Sequence, residues 1–339
     1  MLKLFWKLGM IFLFGGSVIL TTGLEGMAQS KQEAGKSEPT RFKAVCFLPS
    51  SHPLAAVIPM FIEKVKEKSK GEMLIEFLGG PEIMPGPEQV KALERGKMIH
   101  MCFTVVSQYE ALVPEAATTN LSKLFPWEER QTGYYDLLVE NHKKANLMYL
   151  GRWVYGPFYL WSKKPISKPE DLKGMRMRTG ALYDRFMKKL GIVPVSIAPA
   201  DVYVALEKGM ADGFGFTIIG PRKDGWTTQV KYLINHPFYN QNGTILINRE
   251  NWDKMSPVRQ QAMKEASAGF EQLMVEYFKK EIDKELKTLK EQEGIKPIEF
   301  PPADAERYVN TAYEALAEGL APKIPVDVMK KLRETSEKK

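Results

Sequence analysis

Ala92-Leu93-Glu94-Arg95-Gly96 and Ala205-Leu206-Glu207-Lys208-Gly209 are near-copies of one pentapeptide. Each reads as the last turn of a helix with glycine just past it, where the backbone turns left-handed and only glycine does so cheaply. A short β-type run follows each copy, over 98–104 and 211–217. Upstream of the first copy, 42–47 reads as a strand, 53–68 as a helix stopped by Gly71, 73–78 as a second strand and 79–87 as a Gly/Pro loop. Upstream of the second, 175–179 reads as a strand, 182–190 as a helix stopped by Gly191, 193–197 as a strand and 200–208 as a helix. Five elements therefore recur in one order. Each half is a βαβαβ unit, which builds a parallel sheet covered by helices.

The expected architecture is α/β, with two doubly wound lobes and a ligand cleft between them. In such sheets ligands sit outside the carboxyl ends of the strands, where helix N-termini point. Residues 251–292 are rich in Glu, Lys, Gln, Met and Leu and stop before Gly294. A helix of that length reaches about 60 Å and braces both lobes. The expected boundaries are lobe I over 40–153 plus 243–283 and lobe II over 154–242 plus 284–330, with flexible ends at 29–39 and 331–339.

Lys3 and Lys7 precede an apolar run over 8–20, and Gly26-Met27-Ala28 then offers a small-x-small site before Gln29. Residues 1–28 thus read as a secretory signal peptide, and the rest as an exported, periplasmic chain. No cysteine follows the apolar run, so no lipid anchor is expected. The composition, 44% hydrophobic and 26% charged, is that of a folded soluble protein. The net charge of +7 gives a mild field that favours anions. No basic stripe interleaved with aromatics is present, so nucleic acid is not an expected partner.

The four histidines are scattered and neither Cys46 nor Cys102 sits in a metal-binding spacing, so neither a metal nor another cofactor is expected. The two cysteines fall on the first and third strands of the first unit. Adjacent parallel strands suit a disulfide poorly, and two buried free thiols are expected. An enzyme needs a nucleophile with its base, paired carboxylates or a metal cluster, and no such motif stands out. Ser51-His52 reads as a polar loop beside the cleft.

Met175-Arg176-Met177-Arg178-Thr179 alternates, which sets two arginines on one face of a buried strand. At the carboxyl end of that strand Arg178 either opens into the cleft and grips a carboxylate through both nitrogens or closes a salt bridge inside the second lobe. The residues alone leave both readings open.

The stretch Lys164-Pro165-Ile166-Ser167-Lys168-Pro169-Glu170-Asp171-Leu172-Lys173-Gly174-Met175-Arg176-Met177-Arg178 resembles the solute-binding proteins of TRAP transporters, the DctP family. So do Leu190-Gly191-Ile192-Val193-Pro194-Val195 and Val202-Tyr203-Val204-Ala205-Leu206-Glu207-Lys208-Gly209-Met210-Ala211-Asp212-Gly213. The resemblance implies a two-lobed fold of periplasmic-binding-protein type that closes on a small organic acid. It implies delivery to a membrane permease with DctQ-like and DctM-like subunits, and a ligand carboxylate on Arg178. A receptor that docks on a signalling partner is the alternative, and an enzyme on the same fold a lesser one.

Two departures bear on the ligand. Many family members carry a second arginine just before the Lys-Pro-Ile segment; here Arg152 is the nearest candidate. Polar residues that often follow the Asp-Gly pair are replaced by Phe214-Gly215-Phe216. With Trp153, Tyr155 and Phe158 near the crossing between lobes, this favours an apolar or aromatic monocarboxylate. The expected ligand contacts are Arg178, Arg152, Trp153, Tyr155, Phe158, Phe214, Phe216 and Asn248.

Overall fold

The computed structural model describes residues 38–337; the expected signal peptide lies outside them. The first unit runs β1 (Thr40–Cys46), α1 (Ile58–Lys68), β2 (Met73–Gly79), α2 (Gly86–Arg95) and β3 (Met101–Thr104). After α3 (Pro126–Thr132) and α4 (Tyr134–Lys143), the long strand β4 (Leu147–Ser162) leaves this unit. The second unit repeats the pattern as β5 (Arg176–Thr179), α5 (Asp184–Lys189), β6 (Val193–Ser196), α6 (Val202–Glu207) and β7 (Gly213–Thr217). The return is made by β8 (Tyr232–Asn248), followed by α7 (Arg249–Asp253), α8 (Pro257–Glu291), β9 (Lys296–Ile298), α9 (Pro302–Leu320) and α10 (Val326–Ser336).

Both units carry the same parallel core, in the order β2-β1-β3 in lobe I and β6-β5-β7 in lobe II. The repeated glycines act as expected: Gly96 and Gly209 hold φ of +62° and +68° at the ends of α2 and α6. A side chain at Gly96 would also meet the Asn248 amide at 2.5 Å.

The sequence leads to a separate sheet in each lobe, and the structure differs there. β4 and β8 run antiparallel along each other from Leu147↔Asn248 to Ser162↔Tyr232, so the described strands form one continuous sheet. The half of β8 near its end pairs with β3, and the half of β4 near its end pairs with β7. The pairing is broken by irregularities at Val154/Gly156 and Pro157/Phe158, next to the facing pair Trp153↔Gly243. Bulges of this kind bend a strand where the sheet must change direction.

Two further expectations are corrected. The single helix over 251–292 is in fact two, α7 and α8. Ser256 takes an extended conformation, caps the new helix at the Arg259 amide and is followed by Pro257 at the first helical position. At 35 residues α8 is about 52 Å long. Its first half packs Met263, Ala266, Phe270 and Met274 into the lobe I core. Leu289, near its end, joins the lobe II core. The C-terminal end expected to be loose over 331–339 is helical to Ser336. Met329 and Leu332 of α10 are buried, and the Ser336 carbonyl accepts from the Lys123 amide at 3.1 Å.

Cys46 and Cys102 are both free and buried. Val45, and not Cys46, is the partner of Cys102 across β1 and β3. The two thiols therefore face opposite sides of the sheet and belong to different cores. Burial pushes both thiol pKa values up, that of Cys46 to about 12, so neither is a ready nucleophile.

Candidate ligand-binding cleft

A cleft of ≈ 810 Å³ lies where the two units face each other. Its walls are the segments just past the carboxyl ends of the parallel strands. Lobe I contributes 47–49 after β1 and 105–108 after β3; lobe II contributes 180–183 after β5 and 198–200 after β6. Phe158 of β4 and Gln241 and Asn242 of β8 line it where the strands cross. The place is the one that strand polarity dictates for a doubly wound sheet.

Arg178 is 7% exposed and lines this cleft. Its Nε donates to the Ile197 carbonyl at 3.2 Å, and its Nη1 to the Tyr183 hydroxyl at 3.0 Å and the Gly215 carbonyl at 3.3 Å. The Tyr183 hydroxyl in turn donates to the Gly215 carbonyl at 2.6 Å, and burial pushes its pKa up, so it keeps the proton it donates. A side chain at Gly215 would meet the Tyr183 ring at 2.6 Å, which is why this position is glycine. The rings of Phe216 and Trp226 lie 5.8 and 6.0 Å from the guanidinium carbon. All these partners are neutral. Among the described residues no carboxylate stands within ion-pair distance of Arg178, so the internal salt bridge left open by the sequence is not formed there.

Arg152 is just as buried, at 2% exposure, but is fully engaged. Its Nη2 and Nε meet both oxygens of Glu129 at 2.7 and 3.0 Å, and Nη2 also reaches the Leu124 carbonyl at 3.0 Å. Burial works against its charge, yet the Glu129 carboxylate offsets this and raises its pKa, so it stays protonated. Its Nη1 donates to the Asn242 oxygen at 2.6 Å, and Asn242 donates to the Asn120 oxygen at 3.1 Å. Arg152 thus touches the cleft only through two amides that line it, Asn242 and Asn120.

Of the eight expected contacts, the cleft brings together Arg178, Phe158 and Phe216. Arg152 is corrected to an internal ion pair. Trp153 and Tyr155 are corrected to core residues: they meet edge to face at 5.3 Å and pack on Phe270 and Phe278 of α8. Phe214 is fully buried below the cleft, stacked on Trp161 at 5.4 Å and held at its edge by Trp226. Asn248 lies at the far end of β8. It caps α7 and bonds to the Leu93 and Glu94 carbonyls.

Sequence reading missed Tyr183, Trp226, Gln108, Gln241 and Asn242, all of which line the cleft. Tyr183 and Gln108 were within reach of the strand-end rule, since each sits in the turn that follows a parallel strand. His52 also lines the cleft; its Nδ1 accepts from the Leu54 amide at 3.1 Å, and burial lowers its pKa, which keeps it neutral.

Comparison with known proteins agrees with this geometry. Residues 45–321 match the family described as bacterial extracellular solute-binding protein, family 7, or DctP. A solute-binding protein of Albidiferax ferrireducens is 26% identical over 161 residues, 45% of this chain and 46% of that one. The C4-dicarboxylate-binding periplasmic protein DctP of Rhodobacter capsulatus is 21% identical over 243 residues, 68% of this chain and 72% of that one. Among solved structures, an open TRAP periplasmic solute-binding protein from Marinobacter aquaeolei superposes with a TM-score of 0.77 at 16% identity, over 88% of this chain and 100% of that one. A Bordetella pertussis extracytoplasmic receptor that binds pyroglutamic acid superposes with a TM-score of 0.74 at 18% identity, over 88% of this chain and 100% of that one. With four-fifths of its length matched and a cleft at the strand ends, the chain belongs to the DctP family of bacterial extracellular solute-binding proteins, the receptors of TRAP transporters.

Proposed function

We propose that the cleft captures a small organic monocarboxylate, that Arg178 holds its carboxylate, and that DctQ-like and DctM-like membrane permease subunits in turn receive it in the periplasm. The observation that carries this reading is a buried guanidinium, lining a cleft, whose partners are all neutral. A charge removed from water at that depth is costly unless an anion meets it. The three hydrogen bonds on Nε and Nη1 fix the plane of the guanidinium and engage no donor of Nη2, on a residue that lines the cleft. A carboxylate entering there completes the set.

The walls argue for one carboxylate rather than two. Arg178 is the single Lys or Arg among the residues that line the cleft, and His52 is neutral. Phe47, Phe158, Phe216 and Trp226 supply apolar rings around it. A dicarboxylate, as in the Rhodobacter relative's name, would leave its second charge facing these rings and amides. Lobe closure would pivot at the broken pairing near Trp153 and Gly243, close to the expected boundaries at 153 and 243, and bring the lobe I wall onto the acid.

Calorimetric titration tests the reading. The small molecule released from denatured purified protein is identified by mass spectrometry and titrated into the parent, Arg178→Ala and Arg178→Lys. Both variants should bind far more weakly, because a lysine cannot reproduce the planar fork. An Arg178→Ala protein that is folded and binds as tightly as the parent would remove Arg178 from the site.

A further inference from the structure

Ser51 and His52 sit at a junction of the two lobes. They follow β1 on lobe I, and the loop after β7 on lobe II brings Lys223 and Asp224 to them. Lys223 donates to the Ser51 carbonyl at 2.7 Å, and His52 and Asp224 both line the cleft. The His52 ring also takes part in the backbone's own bonding. Its Nδ1 accepts from the Leu54 amide at 3.1 Å and caps the turn Pro53–Ala55. Leu54, 1% exposed, is part of the cleft wall. The ring proton therefore sits on Nε2. A second proton has only Nδ1 to go to, where it would face the Leu54 N–H. Two donors would then oppose each other and the cap would be lost. The added charge is unwelcome for a second reason. Burial acts most strongly on this ring and disfavours the cation, Asp224 favours it less strongly, and Lys223 disfavours it. The other charges nearby are engaged: the Glu82 carboxylate accepts from the Gly80 and Ser50 amides at 2.8 and 3.4 Å, and Arg222 grips Glu285.

We infer that His52 is a proton-operated latch on the cleft: the closed receptor requires the neutral ring, and a proton on it favours the open form and releases the acid. The inference rests on the reading that the lobes close over a bound acid, and not on which residue grips the carboxylate. Lobe II supplies part of the burial of His52 together with Lys223, so opening returns the ring to water and separates it from that cation. Protonation also loosens the turn that carries the Ser51 carbonyl, and with it the bridge from Lys223. Both effects push toward opening, and Asp224 opposes them only in part. A histidine in water titrates near pH 6.5, so acidification from pH 7.5 to 5.5 loads the open form with a proton that the closed form resists. The affinity lost over that range is at most about 10-fold for one such group. Of the four histidines, His52 is the one that lines the cleft.

The test uses the full secreted chain and the acid that co-purifies with it, identified by mass spectrometry. Calorimetric titrations at about pH 7.5, 6.5 and 5.5 compare the parent with His52→Asn, which keeps an acceptor for the cap but does not titrate. Each protein is read against itself, as the ratio of its affinities at the two ends of the range. The parent should lose about 3- to 10-fold, and His52→Asn less than about 2-fold. Protonation of the acid itself weakens both proteins alike and cancels in the comparison. NMR of the His52 ring in the parent gives a second reading. With the acid bound the ring should titrate at a lower pH than without it, because the coupling between proton and solute is reciprocal. If His52→Asn does not fold, the ring titration decides alone. A parent ratio near one, an equal loss in His52→Asn, or a ring that titrates at the same or a higher pH when the acid is bound overturns the latch. Those outcomes leave the carboxylate site untouched, since Arg178→Ala tests that site at a single pH.

Discussion

Arg152 and Arg178 are the two buried arginines among the described residues, and they have opposite surroundings. Arg152 sits in lobe I inside an ionic cluster. Glu129 faces it at 2.7 Å, and close by Glu271 faces Arg130 at 2.5 Å. Arg178 sits on lobe II among carbonyls, a phenol and two rings. Arg152 is neutralised inside the fold by Glu129, whereas Arg178 meets no carboxylate among the described residues. Burial alone therefore does not set the role of an arginine; the two differ in whether an internal carboxylate meets the charge, and the proposed role of Arg178 rests on that difference.

The largest effect that would break this contrast is on stability. Arg152→Ala leaves Glu129 buried and unpaired, which should cost about 3–5 kcal/mol in a urea melt. Replacing both Arg152 and Glu129 by methionine should cost much less, because no orphan charge remains. If the single and double variants are equally unstable, packing and not charge explains Arg152.

The counterpart on lobe II moves affinity instead. Arg178→Ala should weaken binding of the co-purified acid by about 2–5 kcal/mol, on the order of 30- to 5000-fold. The ligand-free protein should be as stable as the parent or more so, since a buried charge without an anion is removed. A drop in ligand-free stability as large as that of Arg152→Ala would erase the difference between the two arginines.

Acid provides a third comparison, because lobe I also buries His142. Its Nδ1 donates to the Leu138 carbonyl at 2.6 Å and its Nε2 faces the Tyr109 hydroxyl at 3.2 Å. Burial, only partly opposed by that carbonyl, lowers its pKa from 6.5 to about 4. The folded state thus favours the neutral ring, whereas the unfolded chain takes a proton near pH 6.5. Stability is intact above that pH, falls as pH drops from about 6.5, and levels near pH 4 once the folded state is protonated as well. The loss should be about 3 kcal/mol. Urea melts at pH 7 and 4.5 should show a shallower fall for His142→Gln than for the parent. Parallel falls would mean that His142 is not the titrating group.

Alternation and strand polarity were enough to put Arg178 at the cleft wall, where the structure has it, but not to choose between a ligand and an internal carboxylate as its partner. Phe214 and Phe216 show where this stops. They share a face of β7 and lie about 7 Å apart along it. Only the one nearer the carboxyl end reaches the cleft, and the pattern does not mark that edge. Trp153 and Tyr155 were illegible for a related reason: β4 is buried along nearly all its length, so alternation gives two apolar faces and no hint of which meets α8. The role of Arg152 depends on Glu129, 23 residues away on a helix, and no local pattern joins them. The break before α8 was readable in Ser256-Pro257, a capping residue followed by a helix-starting proline.

The smallest effect is expected at the cleft mouth. There Lys223 of lobe II donates through Nζ to the Ser51 carbonyl of lobe I at 2.7 Å. The neighbouring Arg222 grips both oxygens of Glu285 on α8 at 2.8 and 2.9 Å, so the loop that presents Lys223 is anchored behind it. The contact crosses from one lobe to the other and exists only when they are close. It is exposed, so its net worth is about 0.5–1 kcal/mol. Its loss should lower the closed population and weaken every ligand by the same factor, about 2- to 5-fold. This separates it from Arg178, whose loss acts through the carboxylate, and from Arg152, whose loss acts through the fold. Titration of Lys223→Ala with two different monocarboxylates should give equal ratios to the parent, with an unchanged melt in the absence of ligand. Small-angle scattering of the ligand-bound variant should show a larger radius of gyration than the bound parent at subsaturating ligand. Affinity and radius both identical to the parent would make the bridge incidental, and leave closure to the ligand's own contacts with the two walls.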